Sequence, residues 1–162
     1  MPSPSSPTAP IRLALGGLLA LAAAMGIGRF VYTPILPFMA AGVPLSPADA
    51  GLVASANFLG YLAGALAGSM GRLPGSARSW FLFALFASAI TTAGMGMSDS
   101  LTVFLVLRFL GGFASAFVLV FSSALVLEQL AKLGRPDLSA VHFAGVGTGI
   151  AFSAVLIAAL GA

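Results

Sequence analysis

The chain has 162 residues, of which 59% are hydrophobic and 7% charged, with mean hydropathy +1.09 and a formal net charge of +3. A soluble domain carries roughly 25% charged residues, so this sequence lacks the polar surface that water contact requires and reads as an integral membrane protein. Seven Lys and Arg scattered over the chain make no basic patch for nucleic acid, and no cysteine, one histidine and four acidic residues leave too little for disulfides or a metal site.

Residues 1–11 open with "MPSPSSPTAP", a Pro/Ser-rich stretch that reads as a disordered tail. The apolar run that follows resembles a signal peptide at first, but it continues to residue 39, too long for a signal h-region. Five apolar segments stand out, near residues 13–39, 48–70, 80–97, 101–127 and 138–161. Each approaches the roughly 20 residues that cross about 30 Å of hydrocarbon as a helix. The connections "AAGVPLSP", "GRLPGSARS", "SDS" and "EQLAKLGRPD" are short, which makes neighbouring spans antiparallel. No alternation of the kind a membrane barrel needs is present, so the expected fold is an all-α bundle of five transmembrane helices.

The loop charges set an expected orientation. With a cytoplasmic N-terminus, Arg12, Arg72, Arg78, Lys132 and Arg135 all lie inside, and the outer loops carry no Lys or Arg. The C-terminus then ends on the outer side, and Trp80 sits at the inner interface. The expected location is a bacterial inner membrane. Two of the seven basic residues, Arg29 and Arg108, remain inside the spans.

Arg29 interrupts "AAAMGIGRFVYTPILPFMAA", with Gly26 and Gly28 before it and Pro34 and Pro37 after it. A charge at mid-span costs roughly 2.5–3.5 kcal/mol, so it needs a reason. Tyr32 and Thr33, at i+3 and i+4, are expected on its face. Either the arginine is satisfied by carbonyls freed near the prolines, or it lines a cavity. Arg108 heads a small and polar stripe of Gly111, Gly112, Ser115 and Ser122, which must face protein or water. The same alternatives apply to it: a buttress between helices or a pathway cation. No acidic residue falls inside the hydrocarbon, which suggests an anion supplied as solute.

In the second span, Asn57, Gly60, Tyr61, Gly64 and Gly68 share one face. The glycines point to close helix packing, and Asn57 and Tyr61 to a polar pathway. In the fifth, His142, Gly145, Gly149 and Ser153 form a stripe, with His142 either packed or a proton relay. No carboxylate pair, nucleophile elbow, nucleotide loop or metal-ligand spacing supports an enzyme or a cofactor.

The order of spans resembles the N-terminal part of a major facilitator superfamily transporter. "GALAGSMGRLP" is similar to that superfamily's signature between helices two and three: Gly64, Leu66, Ala67, Gly71 and Arg72 match, while Gly68 and Ser69 replace its Asp and Arg. "LRFLGG" is similar to the fourth-helix arginine-and-glycine segment, and "GIGRFVYTPILPFM" with "HFAGVGTGI" resembles the YbfB/YjiJ-type branch. The resemblance covers residues 12–161. It implies that the first and fourth helices line a central cavity, that Arg29 and Arg108 approach it, and that the prolines allow gating. It also implies two six-helix halves, so a five-span chain is expected to be a fragment, or a subunit needing a second chain. The function it implies is secondary transport of a small anionic organic solute by alternating access. The alternatives are a non-transporting subunit or remnant with structural arginines, and a small homo-oligomeric transporter.

Overall fold

The computed structural model describes residues 8–43, 45–71 and 73–160, without the side chains of 40 and 41. The described chain is helical, and its order is α1 (Ala9–Leu21), a π-helical segment (Ala22–Ile27), α2 (Tyr32–Gly42), α3 (Pro47–Ser69), α4 (Ala77–Gly94), α5 (Leu101–Lys132) and α6 (Ser139–Leu160). Five stretches are long and apolar enough to cross a bilayer, the first being Ala9–Met39, which joins α1, the π segment and most of α2.

The helix boundaries follow from local chemistry. Residues 1–7 of the expected tail lie outside the described residues, and residues 9–11 already belong to α1, because Pro10 falls in the first turn, where its missing N–H is no loss. Ser46 caps α3 in a reciprocal box with Asp49, its Oγ accepting from Asp49 N–H at 3.1 Å while Asp49 Oδ2 accepts from Ser46 N–H at 3.0 Å. Ser76 caps α4 by accepting from Ser79 N–H at 3.1 Å. The fourth span reaches Lys132, five residues beyond the expected end at 127. A Lys132–Glu128 pair at i,i+4 carries the helix past the apolar zone. Gly134, at φ +69°, then stops it, with Arg135 N–H donating to Leu130 O and Gly134 N–H to Ala131 O.

The bundle is apolar on the outside and small or polar within. Leu19, Phe58, Leu59, Leu62, Phe83, Phe86 and Val155 are exposed, whereas Asn57, Ser88, Arg108, Ser115, Ser122, His142 and Ser153 are buried. A water-soluble bundle has the reverse arrangement, and this one suits lipid. Helix α5 is central and packs on α3, α4 and α1, while α6 packs on α1 and the π segment. One core cluster joins Leu21, Ala24 and Met25 to Ala84, Phe117 and Val118. Trp80 meets Phe117 edge-on at 5.7 Å.

Two glycine seams set the closest approaches. A Cβ at Gly60 would lie 2.7 Å from the carbonyl carbon of Phe109 and clash with its oxygen, and one at Gly112 would overlap the backbone of Asn57. Across the bundle, a Cβ at Gly26 would lie 2.5 Å from Gly149 Cα. Gly64 and Gly145 face backbone in the same way, while Gly68 has ordinary contact with Val120. Overpacking costs roughly 1–3 kcal/mol, so Gly60→Ala is expected to lower the thermal midpoint of the purified protein in detergent. Gly51→Ala, where the added carbon meets nothing within 4 Å, is expected to leave it unchanged or higher.

Candidate functional site

The site begins with the break in the first span. Gly28 N–H reaches back to Ala23 O at 2.8 Å and Phe30 N–H to Met25 O at 3.3 Å, both five residues away, so the helix widens before a turn at residues 28–31. Pro34 has no N–H, so Phe30 O loses its ordinary i+4 donor. Thr33 N–H turns to Phe30 O instead, at 3.3 Å. That leaves the carbonyls around Gly28 and Arg29 in need of outside donors.

Arg108 supplies them. Its Nη1 donates to Gly28 O at 3.2 Å and its Nη2 to Arg29 O at 2.8 Å. The carbonyl of Arg108 itself accepts from Asn57 Nδ2 at 3.0 Å. Tyr32 closes the group: its ring lies 4.9 Å from the Arg108 guanidinium carbon, and its hydroxyl donates to Ala50 O at 3.2 Å. The first, second and fourth spans are thus tied together around one buried cation.

Arg29 points elsewhere. Its guanidinium carbon lies 3.7 Å from the centroid of the Tyr61 ring, 5.1 Å from that of Phe58 and 5.3 Å from that of Phe30. The residue is only 8% exposed, yet no acidic side chain pairs with either arginine among the described residues. The Nε atoms of both arginines are buried without an acceptor. The two cations differ in their partners. Arg108 is spent on backbone carbonyls, and Arg29 rests on an aromatic shelf of the second span.

The remaining expected residues divide similarly. A cavity of about 440 Å³ between α2, α4 and α5 is lined by Gly28, Tyr32, Arg108 and Gly111, with Thr91, Thr92 and Asp99 contributed by the third span and the loop after it. Asn57 and Ser115 lie in helix seams, Ser115 fully buried and donating to Gly112 O at 2.8 Å. Thr33 is exposed, whereas Arg29 and Tyr32 are buried. Tyr32 itself goes to Arg108, because the turn at 28–31 breaks the i+3 spacing. Pro34 is half-buried and Pro37 lies inside α2. Gly71 adopts φ +63° in the loop after α3, and Arg72 lies outside the described residues.

His142 is completely buried, with Nε2 3.5 Å from Ser123 Oγ and Nδ1 without a partner. A side chain at Gly17 would collide with that ring, so the glycine makes room for it. Thr91 and Thr92 were missed from sequence; the only signal was a pair of hydroxyls in the apolar run "SAITTAG", where each donates to its own helix, Thr92 to Ser88 O at 2.8 Å. No cluster of three metal-ligating side chains occurs among the described residues.

Comparison with known proteins adds one match. The family model described as an uncharacterised MFS-type transporter, YbfB, covers residues 21–162. No curated protein and no solved structure matches the chain.

Proposed function

Because the chain belongs to the YbfB family of MFS-type transporters, we propose that it contributes one wall of a pathway for a small organic anion, with Arg29 as the cation that meets it. The observation that carries this reading is the setting of Arg29: buried, laid on Tyr61 and unmatched by a carboxylate among the described residues. A buried cation without a counter-ion is costly unless a ligand supplies one. Aromatic faces hold the guanidinium in place, and its unpartnered Nε–H remains for a carboxylate or phosphate. Tyr61 is then a positioning residue, and Arg108 with Asn57 braces the broken helix that presents Arg29. Alternating access needs a second bundle opposite this wall, whether a further part of the same protein or a second chain. The N-terminus lies on the cytoplasmic side of the inner membrane in this reading.

Binding of a panel of radiolabelled mono- and dicarboxylates to the reconstituted protein, beside organic cations of similar size, tests it. Selective anion binding that Arg29→Gln removes is expected. Binding no greater than to protein-free vesicles, or cation preference, overturns it.

A second reading, that the arginines are structural, is favoured for Arg108 by its two carbonyl bonds, but no such bonds account for Arg29. For coupling, we assign His142 as the proton relay, on the strength of its complete burial beside Ser123 Oγ. His142→Gln is expected to abolish accumulation driven by a pH gradient while exchange of solute down its own gradient persists. Accumulation that stays at the wild-type level removes His142 from the path.

A further inference from the structure

At the end of the bundle that carries Arg12, a second cavity of about 440 Å³ runs between α1, α4 and α5. Its walls are mostly apolar, including Leu13, Phe81 and Val126, and Arg12 and Arg78 are the charged residues that line it. Both arginines are exposed, and neither forms an ion pair among the described residues. The acidic side chains at this end are already engaged: Glu128 with Lys132, and Asp137 with Arg135. Asp49 and Asp99 belong to the opposite end of the bundle. Two guanidinium groups therefore stand at the mouth of an apolar groove with no protein anion to meet them. Gly16 leaves space on the α1 side of the groove, since a Cβ there would meet nothing within 4 Å.

We propose that this groove binds an anionic phospholipid of the adjacent leaflet, one acyl chain between the helices and the phosphate between Arg12 and Arg78. A crevice open to the hydrocarbon is filled by a lipid chain by default, so the charges at its mouth choose the headgroup. Each basic side chain near an anionic surface strengthens binding roughly five-fold, and a paired arrangement selects an anionic headgroup over a zwitterionic one. Free phosphate lacks the apolar part that the walls require. The inference depends on the groove and not on what the protein transports.

Trp80 is the single tryptophan of the chain and sits two residues from Arg78, its Nε1 donating to Pro74 O at 2.9 Å. It is a built-in reporter. The protein is reconstituted in phosphatidylcholine vesicles containing a minor fraction of phosphatidylglycerol, with one lipid or the other brominated on its chains, and Trp80 fluorescence is read. Brominated phosphatidylglycerol is expected to quench several-fold more strongly than the same fraction of brominated phosphatidylcholine. The excess is expected to weaken in Arg12→Gln or Arg78→Gln and vanish in the double variant, with helical circular dichroism unchanged. Equal quenching by the two lipids in the wild type overturns the proposal. So does an excess that survives in the double variant, or one that soluble glycerol phosphate competes away, since that would be a headgroup site without the groove.

Discussion

Arg108→Ala is expected to cause the largest loss of stability of any single substitution in this bundle. Its guanidinium closes two backbone acceptors, Gly28 O and Arg29 O, inside the break in the first span. Leaving a buried acceptor unsatisfied costs roughly 1–3 kcal/mol, so the pair amounts to about 2–6 kcal/mol, offset in part because the variant no longer buries a charge. Neutral interhelical hydrogen bonds in membranes average only about 0.6 kcal/mol, but here the donor is charged and both acceptors have already lost helical partners. Thermal unfolding in detergent, followed by circular dichroism, is the measurement. Arg108→Lys should recover only part of the loss, because an ammonium cannot match the fork that spans two adjacent carbonyls. Full recovery by lysine would indicate that charge alone matters.

Arg29→Gln is expected to behave in the opposite way, with a small effect on folding and a large one on solute. Two contributions to stability nearly cancel. The cation–π contact with Tyr61 is worth about 2 kcal/mol when desolvated, and burying the charge costs roughly 2.5–3.5 kcal/mol. Removing both leaves a net change of about 0.5–1.5 kcal/mol in favour of the variant. An anion that meets the guanidinium, by contrast, loses a charge-assisted hydrogen bond worth about 1.5–3 kcal/mol, which is about a 10- to 100-fold drop in affinity. Titration of the reconstituted variant with the anion that the wild type binds reads this directly. A midpoint many degrees lower, with solute binding intact, would assign Arg29 to the scaffold.

How much of this was legible in the sequence depends on how local the signal is. The five spans follow from apolar runs of membrane length, and the Gly60 and Gly64 seam follows from small residues at every fourth position. The break near Arg29 could be anticipated from Gly26, Gly28, Pro34 and Pro37. Its form could not: widening to π geometry before a turn at 28–31 depends on the fit against α5 and α6. Helical spacing put Tyr32 beside Arg29, and the turn carried it to Arg108 instead. The partners of the two arginines are set across 30 to 80 residues of sequence, where periodicity is silent. Thr91 and Thr92 give no further sequence signal, because a hydroxyl that bonds its own helix looks neutral in an apolar run. The extension of α5 to Lys132 was missed because its last turns are charged, and hydropathy ends where the lipid does and not where the helix does.

The central claim is a division of labour: Arg108 holds the broken first span, and Arg29, presented by it, meets the solute. The most direct test measures melting and anion binding side by side in Arg29→Gln and Arg108→Gln. The account predicts that Arg29→Gln melts within a few degrees of the wild type and loses anion binding, while Arg108→Gln melts far lower. Anion binding that is unchanged in Arg29→Gln, or a melting loss as large as that of Arg108→Gln, would contradict it.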